Sequence, residues 1–523
     1  MSGRALATAV TWLLLALSAG AHGQDRLDAV DAYLEAAFAG SSLPGMAVAV
    51  VSGGDVAYAR GFGVADRESR AAVTVDTAFE LGSLTKSMTA LAVLRLAEAG
   101  RVDLDAPVRR YLPWFRVADA DASAAITPRH LLGHTSGLPR WSHGVVWRDP
   151  ERVSGSVAEG VRALASVPLA FAPGEAVSYA NMGYAVLGAV IEAVTGAPWD
   201  AFLAAELLAP LGMERTGLTV AGRSSLSVAT PHAWRLGAQV PAGAPAPFVG
   251  PAGSTPVSSA RDMAAYLAAW LEPGPGGVVT PWAYERATEP QGEYGRGEAY
   301  GLGWVLGSHA GERLMHHTGG TEGSASFMAL LPERGLGVVV LANGESSLPP
   351  RIGRGVLDAL LGRVPPPVGP DETRGLSVAL TVVSGACAAL LALLVARVAR
   401  GARGPRRQPR GRVLWLRALA LVALAAGAWA WVPAQLRSMG MPVPFGVRGY
   451  PLDFALAAAG LLLTTTAWAA HGLVALARGT AAAAGRAARP ERSGIVDAPR
   501  AAAVDSRLHL KPADGGAPRW RNR

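Results

Sequence analysis

The chain has 523 residues, half of them hydrophobic, and a formal charge of +8 that is an average over unlike parts. Residues 24–374 carry 27 Lys+Arg against 35 Asp+Glu, whereas residues 375–523 carry 20 against 5 and Arg4 supplies the remaining +1. The large N-terminal part is therefore acidic, which excludes a nucleic-acid partner for it, and a single cysteine, Cys387, excludes a disulfide framework or a cysteine zinc site within one chain.

Residues 1–23 combine Arg4, an apolar run from Ala5 to Leu17 and small residues around Ala19–Gly23. This is the pattern of a secretory signal peptide, and the same segment retained would be an N-terminal anchor. Either way, the domain after residue 23 is exported. Residues 24–365 read as one mixed α and β domain, with short β-like runs at Met46–Val51 and Gly337–Asn343 among amphipathic stretches and Gly/Pro punctuation. The proline-rich stretch at 366–375 predicts a stiff linker. Three apolar stretches near 376–396, 413–433 and 454–477 then predict three transmembrane helices within 376–478. Seven arginines, Arg397 to Arg412, lie between the first two stretches, and only Arg437 and Arg448 between the second and third. Positive loops stay in the cytoplasm. The basic tail, residues 479–523, is then cytoplasmic and without a packed core, and the chain is expected in the bacterial inner membrane, multi-pass, with the large domain on the extracytoplasmic side. His471, Arg417 and Thr464–Thr466 in these stretches read as groups near helix ends or bonded within their helix, with a polar path as the alternative.

Lysine is nearly absent: Lys86 and Lys511 stand among 46 arginines. An amine can lose its proton where a guanidinium effectively cannot, so Lys86 points to chemistry needing a neutral amine, against the alternative of a chance remnant. The segment from Phe79 to Gly100 predicts a turn, a helix starting near Ser83 with Leu84, Met88 and Leu91 facing the core, and a glycine stop. Three residues apart on that helix, the Ser83 hydroxyl and the Lys86 amine meet, and a neutral amine beside a hydroxyl activates a nucleophile. Alone, Ser-x-x-Lys is a weak signal.

Two further segments give it context: Pro173 to Gly196, which contains Tyr179-Ala-Asn181, and Met315 to Gly323, which contains His317-Thr318-Gly319-Gly320. Ser83-x-x-Lys86, Tyr179-x-Asn181 and His317-Thr318-Gly319, in this order, resemble the three motifs of the serine β-lactamase and penicillin-binding superfamily, in its class C-like esterase and D-aminopeptidase branch. The phrases Leu131–Leu138, Pro210–Met213, Ser258–Met263, Tyr300–Trp304 and Leu331–Asn343 are similar to the same family. The resemblance implies an α/β sandwich, an antiparallel sheet flanked by helices with a helical subdomain carrying Tyr179 and Asn181. It implies Ser83 as acylated nucleophile, Lys86 as its activator, Tyr179 as general acid/base, Asn181 as a hydrogen-bond donor to substrate, and His317, Thr318 and Gly319 as substrate-binding; a phenol near a lysine ammonium can have its pKa lowered, which suits the role given to Tyr179. The oxyanion hole it implies is the backbone N–H of Ser83 and of Gly320. One departure stands out: His317 occupies a place usually held by lysine, so a permanent cation is missing.

The expectation is thus a membrane-anchored, extracytoplasmic serine hydrolase that forms a covalent acyl-enzyme on an ester, a D-amino-acid peptide or amide, or a β-lactam, its small-molecule or peptide substrates including cell-wall-derived ones. A catalytically silent receptor or membrane scaffold is the alternative from another class. No metal or cofactor is expected: His130 and His134 lack the glutamate of a zinc-protease helix and no third ligand is spaced to join them or His316.

Overall fold

The structure is a computed structural model that describes residues 24–143, 156–242 and 256–401, with parts of a helical stretch within 460–481. The expected signal segment, the stretch at 413–433 and most of the tail lie outside the described residues.

Strands are numbered along the chain: β1 Gly45–Ser52, β2 Asp55–Gly63, β3 Ala78–Glu80, β4 His232–Arg235, β5 Ala238–Pro241, β6 Val257–Ser259, β7 Gly292–Gly295, β8 Glu298–Tyr300, β9 Val305–His309, β10 Glu312–Thr321, β11 Ser324–Leu331 and β12 Leu336–Ala342. Eight of them form one antiparallel sheet in the order β2-β1-β12-β11-β10-β9-β8-β7. The apolar runs of the central strands follow from burial on both faces. In β1, Met46, Val48 and Val50 face one core while Ala47, Ala49 and Val51 face the other, and β12 divides the same way, Val338 and Val340 from Val339 and Leu341. Successive side chains alternate across a strand, so a strand covered on both faces must be apolar throughout.

One face is closed by the helix at 24–39, through Val30, Leu34 and Ala37, and by the helix Pro349–Leu360, through Ile352, Val356 and Leu357. The other is closed by the helices Thr85–Glu98 and Ala260–Leu271, and beyond these lies a helical region that includes the helix Asn181–Thr195. Leu84, Met88 and Leu91 are fully buried, as expected, and the glycine stop is Gly100 at φ +70°.

Residues 366–375, expected to act as a spacer, make contacts back to the domain. Arg351 Nη1 donates to the Pro370 carbonyl at 3.1 Å, and the buried Asp371 carboxylate accepts from Ser346 Oγ (2.7 Å), Ser347 Oγ (3.0 Å), Ser347 N (3.1 Å) and Thr373 N (3.0 Å). The chain then enters the helix Glu372–Gly401, and Ser377 Oγ on its first turns accepts from Gly237 N, between β4 and β5, at 3.2 Å. Residues Glu372–Leu390 of this helix are long and apolar enough to cross a bilayer, 19 residues at a mean hydropathy of 1.4. In the described part of the third apolar stretch, Thr464 Oγ1 donates to the Cys387 carbonyl at 3.2 Å and Trp468 Nε1 to that of Leu390 at 3.1 Å, while Thr465 bonds Leu462 within its own stretch. Asp371→Ala removes a charged acceptor of several bonds at the junction and is expected to cost about 2 kcal/mol, a fall of a few degrees in Tm. Thermal unfolding of the detergent-solubilised chain checks this.

Candidate active site

β3 pairs with β6 and delivers Leu81, Gly82 and Ser83 to the sheet. Ser83 sits in a single 3-10 turn, Gly82–Leu84, and the α-helix begins only at Thr85. The turn is tighter than the expected helix start because Gly82 has φ +54° and lies flat against β10: a Cβ on Gly82 would come within 2.5 Å of Gly320 N. Only glycine fits both conditions. Strand β10 is paired with β9 only up to His316, so its continuation, His317 to Gly320, presents an edge to the Ser83 turn while remaining paired with β11 on the other side. The backbone N–H groups of Ser83 and Gly320 are thereby brought to one place.

Lys86 Nζ donates to Ser83 Oγ at 2.9 Å. Lys86 is fully buried and its Nζ lies 5.0 Å from the ring centre of Tyr179 and 5.7 Å from that of Tyr184. Such surroundings cannot replace the hydration of an ammonium, and burial pulls the amine down to about 7. Tyr179 is hydrogen-bonded to Ser83, a contact that acts to lower its pKa, but burial dominates and raises the phenol above its ordinary value. The rise runs against the expectation of a lowered phenol, and its cause is burial; Lys86, brought to about 7, is divided between amine and ammonium at neutral pH.

Asn181 opens the helix Asn181–Thr195, two residues from Tyr179, and its Oδ1 is buried with no hydrogen-bond partner among the described residues. A buried amide oxygen without a protein partner needs a donor from water or a ligand. His317 is buried. Its Nδ1 contacts the Thr318 carbonyl at 2.7 Å, and because a carbonyl only accepts, the proton is on Nδ1. Nε2 then accepts from the Tyr300 hydroxyl at 3.0 Å. Burial takes this imidazole down to about 3, so the missing cation of the third motif is missing in charge as well as in residue type. Thr318 is exposed on the same strand, and Gly319 and Gly320 complete the contact with Leu81 and Gly82.

Ser83, Lys86, Tyr179, His317 and the Gly319–Gly320 edge thus lie together, with Asn181 two residues beyond Tyr179. Three residues were not assigned roles from the sequence. Tyr300 holds His317, Tyr184 lines the Lys86 pocket and donates to the Leu132 carbonyl at 2.9 Å, and His134 stacks on Tyr179 with ring centres 4.2 Å apart. The only signal for Tyr300 and His134 was their place in the family-like phrases Tyr300–Trp304 and Leu131–Leu138. Of the histidines weighed as metal ligands, His130 Nδ1 accepts from Thr127 N at 3.3 Å, and His316 Nε2 meets Glu298 at 3.0 Å.

The Beta-lactamase family profile matches residues 30–363. Penicillin-binding protein 4 of Amycolatopsis lactamdurans is 32% identical over 379 residues, covering 69% of this chain and 95% of that protein. Esterase EstB of Burkholderia gladioli is 41% identical over 207 residues, 37% of this chain and 51% of that protein. The octameric penicillin-binding protein homologue from Pyrococcus abyssi superposes with a TM-score of 0.59 at 29% identity, covering 65% of this chain and 78% of that one. The chain belongs to the Beta-lactamase family, within the β-lactamase/transpeptidase-like serine hydrolases that include penicillin-binding proteins and esterases.

Proposed function

We propose that this chain is a serine hydrolase anchored in the bacterial inner membrane by its C-terminal helices, with its cleft on the extracytoplasmic side, and that it cleaves an ester, a D-amino-acid peptide or amide, or a β-lactam through an acyl-enzyme on Ser83. The observation that carries the reading is the 2.9 Å contact between Ser83 Oγ and a buried Lys86 whose amine is brought to about 7. A purely binding fold has no use for a nucleophile beside a buried base. The apolar helix Glu372–Leu390 and the arginines that follow at 397–412 support the anchor and its orientation.

In the reaction, neutral Lys86 takes the Ser83 hydroxyl proton as Oγ bonds to the substrate carbonyl carbon. The tetrahedral oxyanion is met by the N–H groups of Ser83 and Gly320. Tyr179, kept as a phenol by burial, gives its proton to the departing oxygen or nitrogen and is reprotonated from the Lys86 ammonium. Carbonyl–leaving-group cleavage leaves an ester on Ser83, and water attacking that ester, with the same groups in reverse, releases the acid. Asn181 and the β10 edge hold the acyl portion.

Treating the detergent-solubilised full chain with a fluorophosphonate tests this. A single phosphonyl adduct is expected in the intact mass, lost in Ser83→Ala, and a panel of esters, D-amino-acid amides and β-lactams then identifies the class turned over. No adduct on the folded wild-type chain overturns the proposal in favour of a binding module.

A further inference from the structure

His134 has no part in the reaction just described, yet its placement is costly. It is 1% exposed, it is one of the few non-glycine residues with a left-handed backbone, φ +58°, and its Nε2 has no hydrogen-bond partner among the described residues. A strained backbone and a buried unpaired nitrogen on one residue persist only where the surroundings hold them. What holds them is the segment carrying Tyr179. The His134 carbonyl accepts from Ser178 N at 2.8 Å, and its Nδ1 accepts from Ala180 N at 3.2 Å. The residues on either side of Tyr179 are therefore pinned to one histidine, by its backbone and its side chain, across 46 positions of sequence. Its ring fills the space between the rings of Tyr179, Tyr184 and Tyr300, at 4.2, 5.2 and 4.6 Å between centres.

From this geometry we infer that His134 is a positioning residue that aims the Tyr179 hydroxyl between Ser83 and the leaving group. The inference rests on the acyl-transfer reading. Accepting the Ala180 N–H requires a lone pair on Nδ1, so the imidazole must be the neutral tautomer with its proton on Nε2. Burial and the nearby Lys86 keep it neutral, its pKa well below the usual histidine value. Nothing in this arrangement touches Ser83 or Lys86 directly. Loss of His134 leaves formation of the nucleophile intact and impairs protonation of the leaving group.

The test separates these two steps by the leaving group. Fluoride leaving a fluorophosphonate needs no proton, a p-nitrophenolate needs little help, and an alkoxide from an alkyl ester needs a proton from Tyr179. In the full chain, His134→Leu is expected to label with the fluorophosphonate within about threefold of the wild-type rate, to lose less than about fivefold in kcat/KM on a p-nitrophenyl ester, and to lose about 100-fold in kcat/KM on the matching ethyl ester, kcat/KM being the quantity that ends at acylation and so reports leaving-group departure alone. His134→Asn, which keeps an acceptor oxygen and tolerates a left-handed backbone, is expected to recover most of the ethyl-ester rate. Equal losses on both esters, or no recovery with Asn, overturn the inference. If His134→Leu does not fold, His134→Asn decides alone: a loss in kcat/KM that is larger on the ethyl ester than on the p-nitrophenyl ester supports the positioning role, and no loss, or an equal loss on both esters, overturns it. Failure of the wild-type chain to label at all sinks the acyl-transfer reading, a different outcome from equal ester losses in labelled variants.

Discussion

Lys86→Met is expected to lower kcat/KM by a factor of about 10³–10⁴ and, at the same time, to make the protein more stable at neutral pH by about 3 kcal/mol. Activity falls because the methionine thioether is far too weak a base to take the Ser83 proton. Stability rises because the wild-type domain buries an amine whose pKa drops from 10.5 to about 7 through desolvation alone. In the unfolded chain this lysine binds a proton below about 10.5, and in the folded protein only below about 7. Stability is therefore lost as pH falls through that window, and the loss is complete below its lower end. At pH 7 the cost is about 4 kcal/mol, less about 1 kcal/mol for the hydrogen bond to Ser83 that the variant also loses. Urea unfolding of both proteins at pH 7 and pH 10 checks the claim: the advantage of the variant should nearly vanish at the higher pH. A pH-independent difference would mean that packing, not charge, sets it.

The same shift fixes the sign of the activity profile. Log kcat/KM of the wild type should rise with unit slope up to about pH 7 and level off above it, as the neutral amine accumulates. Lys86→Arg should be inactive at every pH, because a guanidinium stays charged and would carry that charge into an apolar pocket. The scarcity of lysine in a chain of 46 arginines acquires a physical basis at this position.

How much of this was legible beforehand varied from residue to residue. Ser83 and Lys86 were legible because their relation is local, three positions apart, and survives the finding that Ser83 lies in a 3-10 turn rather than in the α-helix. The strands β1 and β12 were legible because burial on both faces leaves an unbroken apolar run. Short β7 and β8, with exposed and half-buried residues, carry no such pattern. The direction of the Tyr179 shift was misjudged because it depends on burial among His134, Tyr294 and Tyr300, residues far apart in sequence that only the tertiary fold assembles. The hydrogen bond from Ala180 to His134 is invisible for the same reason. Motif spacing singles out the groups expected to react; the state of charge in which they rest is a property of the packed cleft.

Gly319→Ala is the second large effect, and it separates two adjacent glycines that the motif presents as equals. A Cβ at Gly319 would lie 2.1 Å from the Leu81 carbonyl oxygen and 2.1 Å from Ser326 Oγ. The Ser326 hydroxyl donates to this carbonyl at 2.7 Å and can rotate away, but Leu81 is held on its other side by a 2.9 Å hydrogen bond from its N–H to the Pro256 carbonyl, so its carbonyl cannot withdraw. Alanine at 319 must push β10 away from the Ser83 turn, at a cost of about 3 kcal/mol in stability and at least about 100-fold in kcat/KM as the two oxyanion donors separate. Adding Ser326→Gly should not restore either quantity, because the Leu81 carbonyl remains in place. Gly320 has no such neighbour: the nearest atom to a Cβ there is Ser324 O at 3.9 Å. Gly320→Ala should therefore unfold at the wild-type temperature, and any loss of turnover in it reports crowding of the substrate carbonyl at the exposed edge of β10. Thermal unfolding and ester turnover of the two single variants, measured side by side, check both halves; equal Tm losses would show that the Leu81 and Ser326 contacts do not set the requirement for glycine at 319.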